Sequence, residues 1–269
     1  MADLRVALAQ ALGPTCRVER EVRPLGACRM FVAVELADGA ELLVKVLPGE
    51  LSLALDLGTF EREVGLLTGR LGHPRLVAPR DAGRAGTLVY HTRRFIDGTT
   101  LRAWLARDGE LPLRQSVALL RDVLEALAHA HAAGIVHGDL KPENVLVVEN
   151  GRALVADAGI VGAVGRSLPG GAATAAARTL CGEAYVPPER MDGGVPAGPR
   201  DDVYAVGVLV HEMLTGHPPA PEAERLEEVR SVPPWLGELA RRCLAAEPAA
   251  RWSDAAEALS RVARPSAGA

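Results

Sequence analysis

Apolar and polar residues alternate over three stretches near the start of the chain, around Cys16–Leu25, Arg29–Leu36 and Glu41–Leu47, which predicts three strands. Asp38-Gly39 marks a hairpin turn between the last two. Residues 1–15 form a short amphipathic segment, broken by Gly13-Pro14. From Leu51 to Leu71 the apolar spacing shifts to three and four, predicting one helix closed by His73-Pro74. Two further strands are expected near Leu76–Asp81 and Thr87–Phe95, so this region reads as a small sheet with one main helix. Ile96-Asp-Gly-Thr-Thr100 is turn-rich and reads as a link. Beyond it the pattern is mainly helical, over Leu101–Arg107, Pro112–Ala133 with Gly134 as C-cap, Asp201–Thr215, Pro233–Ala246 and Ser253–Val262. A hairpin of Val145–Val148 and Arg152–Ala156, turning at Asn150-Gly151, interrupts the helices. Residues 160–181 are rich in Gly, Ala and Thr and predict a mobile surface loop outside the core.

Composition narrows the class. A chain of 269 residues has room for one large domain or two lobes with a real core. Apolar residues make up 48 % and aromatics 3 %, so that core is aliphatic. A net charge of −4 and the lack of a long basic run argue against nucleic acid as a partner. Cys16, Cys28, Cys181 and Cys243 are scattered without CxxC spacing, as expected of reduced thiols and not of a disulfide frame or zinc site. No apolar run reaches membrane-spanning length, and Met1-Ala-Asp-Leu-Arg5 lacks a signal-peptide profile. The expectation is a soluble cytoplasmic chain without a membrane partner.

The candidate chemistry lies in His137-Gly-Asp-Leu-Lys-Pro-Glu-Asn-Val-Leu-Val147, followed by Asp157-Ala-Gly159. A carboxylate, a lysine and an amide fall on a loop entering one strand, and a second carboxylate follows the next strand. Phosphoryl transfer needs such a set: a base to orient a hydroxyl, a cation to offset charge on the moving group, and an amide plus a carboxylate to hold magnesium. The use of lysine sharpens this. Of the 30 basic residues only Lys45 and Lys141 are lysines, and the others are arginine. Where arginine serves as the general cation, a retained lysine points to a place that needs a slim point charge. His211-Glu212 begins like a zinc motif, but the next histidine, His217, is out of step with the helix face, so no metal site is expected there.

The motifs His137–Asn144, Asp157–Gly159, Pro187-Pro-Glu189, Asp202-Val-Tyr-Ala-Val-Gly207 and Glu247-Pro-Ala-Ala-Arg251, taken in order, resemble a eukaryotic-type Ser/Thr protein kinase domain of the bacterial kind, from about residue 16 to residue 263. The resemblance implies an α+β, bilobal fold with a small antiparallel N-lobe sheet, one main helix, and a larger, mainly helical C-lobe. It implies an N-lobe at residues 1–97, a C-lobe at 98–263 and a polar tail at 264–269. It implies ATP and Mg2+ as cofactors and a protein substrate with Ser or Thr hydroxyls, with a possible regulatory partner protein. Asp139 would be the catalytic base and Lys141 would stabilise the moving phosphoryl group. Asn144 and Asp157 would hold the metal. Lys45, Glu63, Gly26, Leu25 and Ile96 would bind ATP, with Lys45 paired to Glu63 or, as the alternative, Glu61. Glu189 and Arg251 resemble a structural ion pair, and Asp202 resembles the residue that holds the catalytic-loop backbone.

The chain also departs from that family. Cys28 and Phe31 stand where loop glycines usually allow close approach to phosphate. Leu43 replaces a small residue beside adenine, and Arg93 falls at or near the back wall of that pocket. Gly138 replaces an arginine that usually gathers a phosphorylated activation loop, which implies activity independent of loop phosphorylation, although Ser167, Thr174 and Thr179 remain candidate modification sites. Ala158 replaces a phenylalanine, and Gly182–Glu189 is one residue short and lacks a threonine. Two alternatives to a kinase therefore stand: a pseudokinase acting as a nucleotide-sensing or scaffolding module, and a small-molecule phosphotransferase.

Overall fold

Strand alternation builds a five-stranded antiparallel sheet in the order β1-β2-β3-β6-β5. Its members are β1 (Cys16–Val22), β2 (Arg29–Glu35), β3 (Glu41–Val46), β5 (Pro79–Ala85) and β6 (Leu88–Arg94). The computed structural model describes residues 4–22, 27–171, 180–191, 197–220 and 226–262. One face of the sheet carries Phe31, Val44, Val46 and Tyr90, and helix α1 (Leu4–Leu12) covers it with Leu4 and Leu8. The amphipathic start of the chain thus completes a core of its own. The opposite face carries Leu43 and Lys45 on β3, which pair across the ladder with Arg93 and His91 on β6. Because side chains alternate, Phe31 lies under α1 and not over the cleft.

The helix expected from Leu51 to Leu71 is two helices, α2 (Gly49–Ala54) and α3 (Leu57–Arg70). Asp56 makes the break. Its carboxylate accepts the Thr59 N–H at 2.8 Å, capping α3, while its own N–H donates to Ser167 O at 2.8 Å. A capping signal inside an amphipathic run overrides the periodicity.

The helical lobe is built on α5 (Leu113–Ala132) and α8 (Pro199–Thr215), which pack together, with α4 (Leu101–Asp108), α10 (Pro234–Cys243) and α11 (Ala255–Ser260) around them. Two short helices, α7 (Pro188–Met191) and α9 (Leu226–Val229), also belong to it. A second small sheet has the order β4-β9-β8-β7. In it β8 (Val145–Val147) and β9 (Ala153–Ala156) form the expected hairpin, flanked by β7 (Thr99–Thr100) and β4 (Leu76–Val77). Strand β4 pairs in parallel with β9, Val77 against Ala156, which fixes the residue just before Asp157 to the sheet-bearing lobe. A small antiparallel sheet with one main helix and a larger helical lobe are thus the α+β, bilobal arrangement expected.

The largest correction concerns the stretch from residue 160. Ile160–Ser167 is a helix, α6, whose Ile160, Val161, Ala163 and Val164 are buried. It packs on α3. Small residues, which gave the stretch the composition of a loop, are what let two helices approach closely. Ser167 is buried and its hydroxyl donates to Ala163 O at 2.7 Å, so it is unavailable for modification in this arrangement. Thr174, Thr179 and the tail from residue 264 lie outside the described residues. Among the described residues, no helix is long and apolar enough to cross a membrane.

Docking of α1 is testable. Leu8 is fully buried, so Leu8→Ala removes packed methyl groups and is expected to lower unfolding free energy by about 3 kcal/mol. Val6, 52 % exposed on the same helix, is expected to tolerate alanine within about 0.5 kcal/mol. Urea denaturation of both variants checks the pair; equal costs would place α1 off the sheet.

Candidate active site

The loop that bears Asp139 is set from beneath by a buried carboxylate. Asp202, in the first turn of α8, accepts the His137 N–H at 2.7 Å and the Gly138 N–H at 2.9 Å. It also accepts from His131 Nε2 at 2.8 Å. The expected role of Asp202 as holder of the loop backbone is thereby met. His137 is wholly buried and its Nε2 donates to Ala156 O at 3.0 Å, tying the loop to β9. Gly138 has φ +76°, a backbone state that an arginine would adopt only with strain, so the local geometry suits the glycine found there. Farther down, Arg251 makes a two-pronged pair with Glu189 at 2.6 and 2.8 Å, which ties α7 to the segment before α11.

Three predicted residues meet on this loop. Lys141 Nζ lies 2.8 Å from Asp139 Oδ1 and donates to Leu180 O at 2.6 Å. Asn144 Nδ2 donates to Asp139 Oδ2 at 2.9 Å and to its backbone oxygen at 2.8 Å. The two contacts orient the Asp139 carboxylate while leaving acceptor capacity on both oxygens. They also turn the nitrogen of Asn144 inward, which frees its amide oxygen for another partner.

Asp157 is the second focus. It has φ +65°, unusual for a residue with a side chain. Its Oδ2 accepts from Lys45 Nζ at 2.6 Å, and Arg93 Nε stands 3.5 Å from its Oδ1. Burial alone would raise the Asp157 carboxyl, but Lys45 and then Arg93 outweigh it and hold the group ionised well below the usual carboxylate range. The same pairing lifts Lys45 above its ordinary value against the effect of burial. Arg93 is lowered by burial, with Asp157 opposing.

Lys45, Asp139, Lys141 and Asp157 wall one narrow cleft, together with Cys28 and His91. Ile160 and Val161 of α6 close another side. Asp157 and Asn144 offer hard oxygen donors, the chemistry that suits Mg2+, which keeps several waters and takes one or two carboxylates plus phosphate oxygens. The donor set therefore fits that ion.

Other expected positions fall elsewhere. Glu63 does not pair with Lys45: its Oε2 accepts from Arg166 Nε of α6 at 2.7 Å, and Lys45 is spent on Asp157. Glu61 is exposed. The physical reason is α6, which lies along α3 and supplies a competing cation. Ile96 packs with Val77, Leu146 and Ala156 in a small apolar cluster and is not among the residues lining the cleft. Leu25 and Gly26 lie outside the described residues. Two contributors went unnoticed in sequence. His91 is buried with neither ring nitrogen hydrogen-bonded, and Arg166 holds Glu63. Alternation along β6 could have placed His91 on Arg93's face; no local pattern links Arg166 to Glu63.

Known proteins resemble the chain along its length. The family model described as protein kinase domain matches residues 26–262. Serine/threonine-protein kinase PknL of Mycobacterium tuberculosis is 39 % identical over 203 residues, covering 69 % of this chain and 49 % of PknL. Serine/threonine-protein kinase PknB of Mycolicibacterium smegmatis is 31 % identical over 251 residues, covering 86 % of this chain and 40 % of PknB. The chain thus spans about half the length, or less, of these curated relatives. The crystal structure of the Mycobacterium tuberculosis PknI kinase domain superposes with a TM-score of 0.74 at 22 % identity, over 93 % of this chain and 95 % of that one.

The state of His91 gives a pH signature. Burial, followed by the opposing pull of Asp157 and the push of Lys45 and Arg93, lowers it to about 4 from 6.5. The unfolded chain takes up this proton near pH 6.5 and the folded one only near 4. Between those values the unfolded state binds more protons, so the contribution is complete above pH 6.5 and is lost as pH falls toward 4. At about 1.4 kcal/mol per pKa unit the loss is roughly 3 kcal/mol. His91→Leu is expected to flatten this part of the stability profile, read by urea denaturation from pH 7 to pH 4. An unchanged slope would mean that His91 is charged or exposed in the folded protein.

Proposed function

Because the chain belongs to the protein kinase domain family, we propose that it transfers the γ-phosphoryl group of ATP to Ser or Thr hydroxyls of protein substrates in the cytoplasm. The observation that carries this reading is Asp139 held between Lys141 and Asn144 on a backbone pinned by Asp202. The hydroxyl acceptor class comes from the names of the curated relatives, which are serine/threonine-protein kinases. The cytoplasmic setting is supported by four cysteines that are all free. Residues 1–97 would form the nucleotide-binding lobe and 98–263 the catalytic lobe.

In this reading Asp139 accepts the hydrogen bond of the substrate hydroxyl and orients its oxygen toward phosphorus. Lys141, beside it, offsets charge on the transferring group. Lys45 supplies a point charge to the α- and β-phosphates, and Leu25, Gly26 and Ile96 contribute to the nucleotide pocket. Asn144 and Asp157 would hold Mg2+, which when bound neutralises phosphate charge. The low exposure of Asp139 and Lys141, 8 % each, keeps water from weakening these interactions.

Labelled Mg-ATP and a generic protein substrate test this reading. Asp139→Asn is expected to lower transfer by about 10²–10⁴-fold. Lys45→Met should weaken nucleotide use to a comparable extent. Equal label incorporation by the parent protein and both variants would refute the assignment, as would no incorporation by any.

A further inference from the structure

We propose that Arg93 is a built-in counter-cation for Asp157, which opposes a divalent metal at that carboxylate and so sets the Mg2+ concentration at which the cleft takes up nucleotide. The proposal rests on Asp157 being a metal-binding group, as in the function proposed above.

The register of β3 against β6 puts Leu43 opposite Arg93 and Lys45 opposite His91 on the cleft face of the sheet. Three basic side chains thus share one buried surface. His91 is neutral there and neither of its nitrogens has a hydrogen-bond partner, so it neither adds nor removes charge. Two cations remain, Lys45 and Arg93, and Asp157 meets both, at 2.6 and 3.5 Å.

The two cations are not equivalent. Lys45 carries a mobile ammonium on a flexible stem and can follow phosphate oxygens into the cleft. Arg93 has little freedom. Its side chain is 9 % exposed, its Nε makes no hydrogen bond, and its Nη1 donates to Arg94 O at 3.3 Å. Among the described residues, Asp157 is the only acidic group acting on it. A metal ion at Asp157 would draw the carboxylate away and place a second positive centre near a buried guanidinium. That state is unfavourable for the same reason that breaking one side of any buried pair is. The metal-competent arrangement is therefore a minor one in the free protein, and apparent affinity falls by the fraction that is competent.

A purely structural Arg93 would affect stability but not metal dependence, and this separates the two roles. The melting temperature is followed while Mg2+ is titrated at a fixed, saturating concentration of a non-hydrolysable ATP analogue. Arg93→Met keeps length and removes charge. It is expected to lower the Mg2+ midpoint about tenfold or more, because the competing cation is gone. Arg93→Lys, which keeps a charge, is expected to stay within about threefold of the parent. Asp157→Asn should show no Mg2+-dependent shift. A parent protein that responds to Mg2+ with the same midpoint as Arg93→Met overturns the role of Arg93 alone. Absence of any Mg2+ response in every protein overturns this proposal and the metal reading of Asp157 together. Should the variants fail to fold, the Nε–Hε resonance of Arg93 in the parent protein decides the matter. Saturation with Mg2+ and the analogue is expected to shift it and speed its hydrogen exchange as Asp157 departs. A resonance unmoved at saturation overturns the proposal.

Discussion

One buried carboxylate joins the two halves of the molecule. Asp157 follows β9 in the helical lobe, yet its ion-pair partners, Lys45 and Arg93, stand on β3 and β6 of the N-terminal sheet. The strand before it is itself paired to β4, so backbone and side chain both bridge the lobes at this point. Removing one partner of such a buried group costs about 3–5 kcal/mol, because the other charge is left uncompensated. Removing Asp157 would leave two cations, so the carboxylate constrains its neighbours more than any one of them constrains it. The geometry of the cleft is set where charge must be cancelled, and the apolar packing follows.

The same constraint explains the arrangement around α6. With Lys45 held by Asp157, Glu63 has no cation in the cleft and finds Arg166 instead. That pair is half in water on the arginine side, with Arg166 55 % exposed, so it stabilises little by itself. What holds α6 is burial of Ile160, Val161, Ala163 and Val164, together with the bond from Asp56 N–H to Ser167 O. Gly159 makes the junction possible. It has φ +81°, and a Cβ there would lie 2.6 Å from a methyl of Leu67 on α3. Ala158 is buried in the same junction, where a small side chain suits helices brought this close.

How much of this could be read in sequence depended on the range of the interaction. The loop from His137 to Asn144 was legible because its groups lie within a few residues and their spacing states their chemistry. The strands were legible because alternation is local, and so was the hairpin at Asn150-Gly151. Asp56 was hidden by a periodic run on either side of it, although an acidic cap is itself a local signal. The helix at Ile160–Ser167 was hidden because glycine and alanine describe both a loop and a close helix contact. The partner of Glu63 was not legible at all, since it depends on where that hidden helix packs. Arg93 stood out as unusual in an adenine pocket, but its real partner emerged only from the register of two distant strands.

The scarcity of lysine bears on the same point from the side of chemistry. Both lysines of the chain sit in this cleft, each touching a carboxylate, Lys45 at Asp157 and Lys141 at Asp139. Arginine fills the roles that need a fixed fork: Arg251 on Glu189, Arg152 on Asp122 and Arg80 on Glu35 each make more than one hydrogen bond to a carboxylate. Arg93 breaks this division, since it meets Asp157 through Nε at 3.5 Å and makes no forked contact. A guanidinium in that position gains less from the carboxylate than geometry would permit, while still bearing the full cost of burial. Its contact with Asp157 is the longer of the two, 3.5 Å against 2.6 Å for Lys45. The two lysines put charge on flexible stems beside their carboxylates, and Arg93 puts charge in a buried, constrained place.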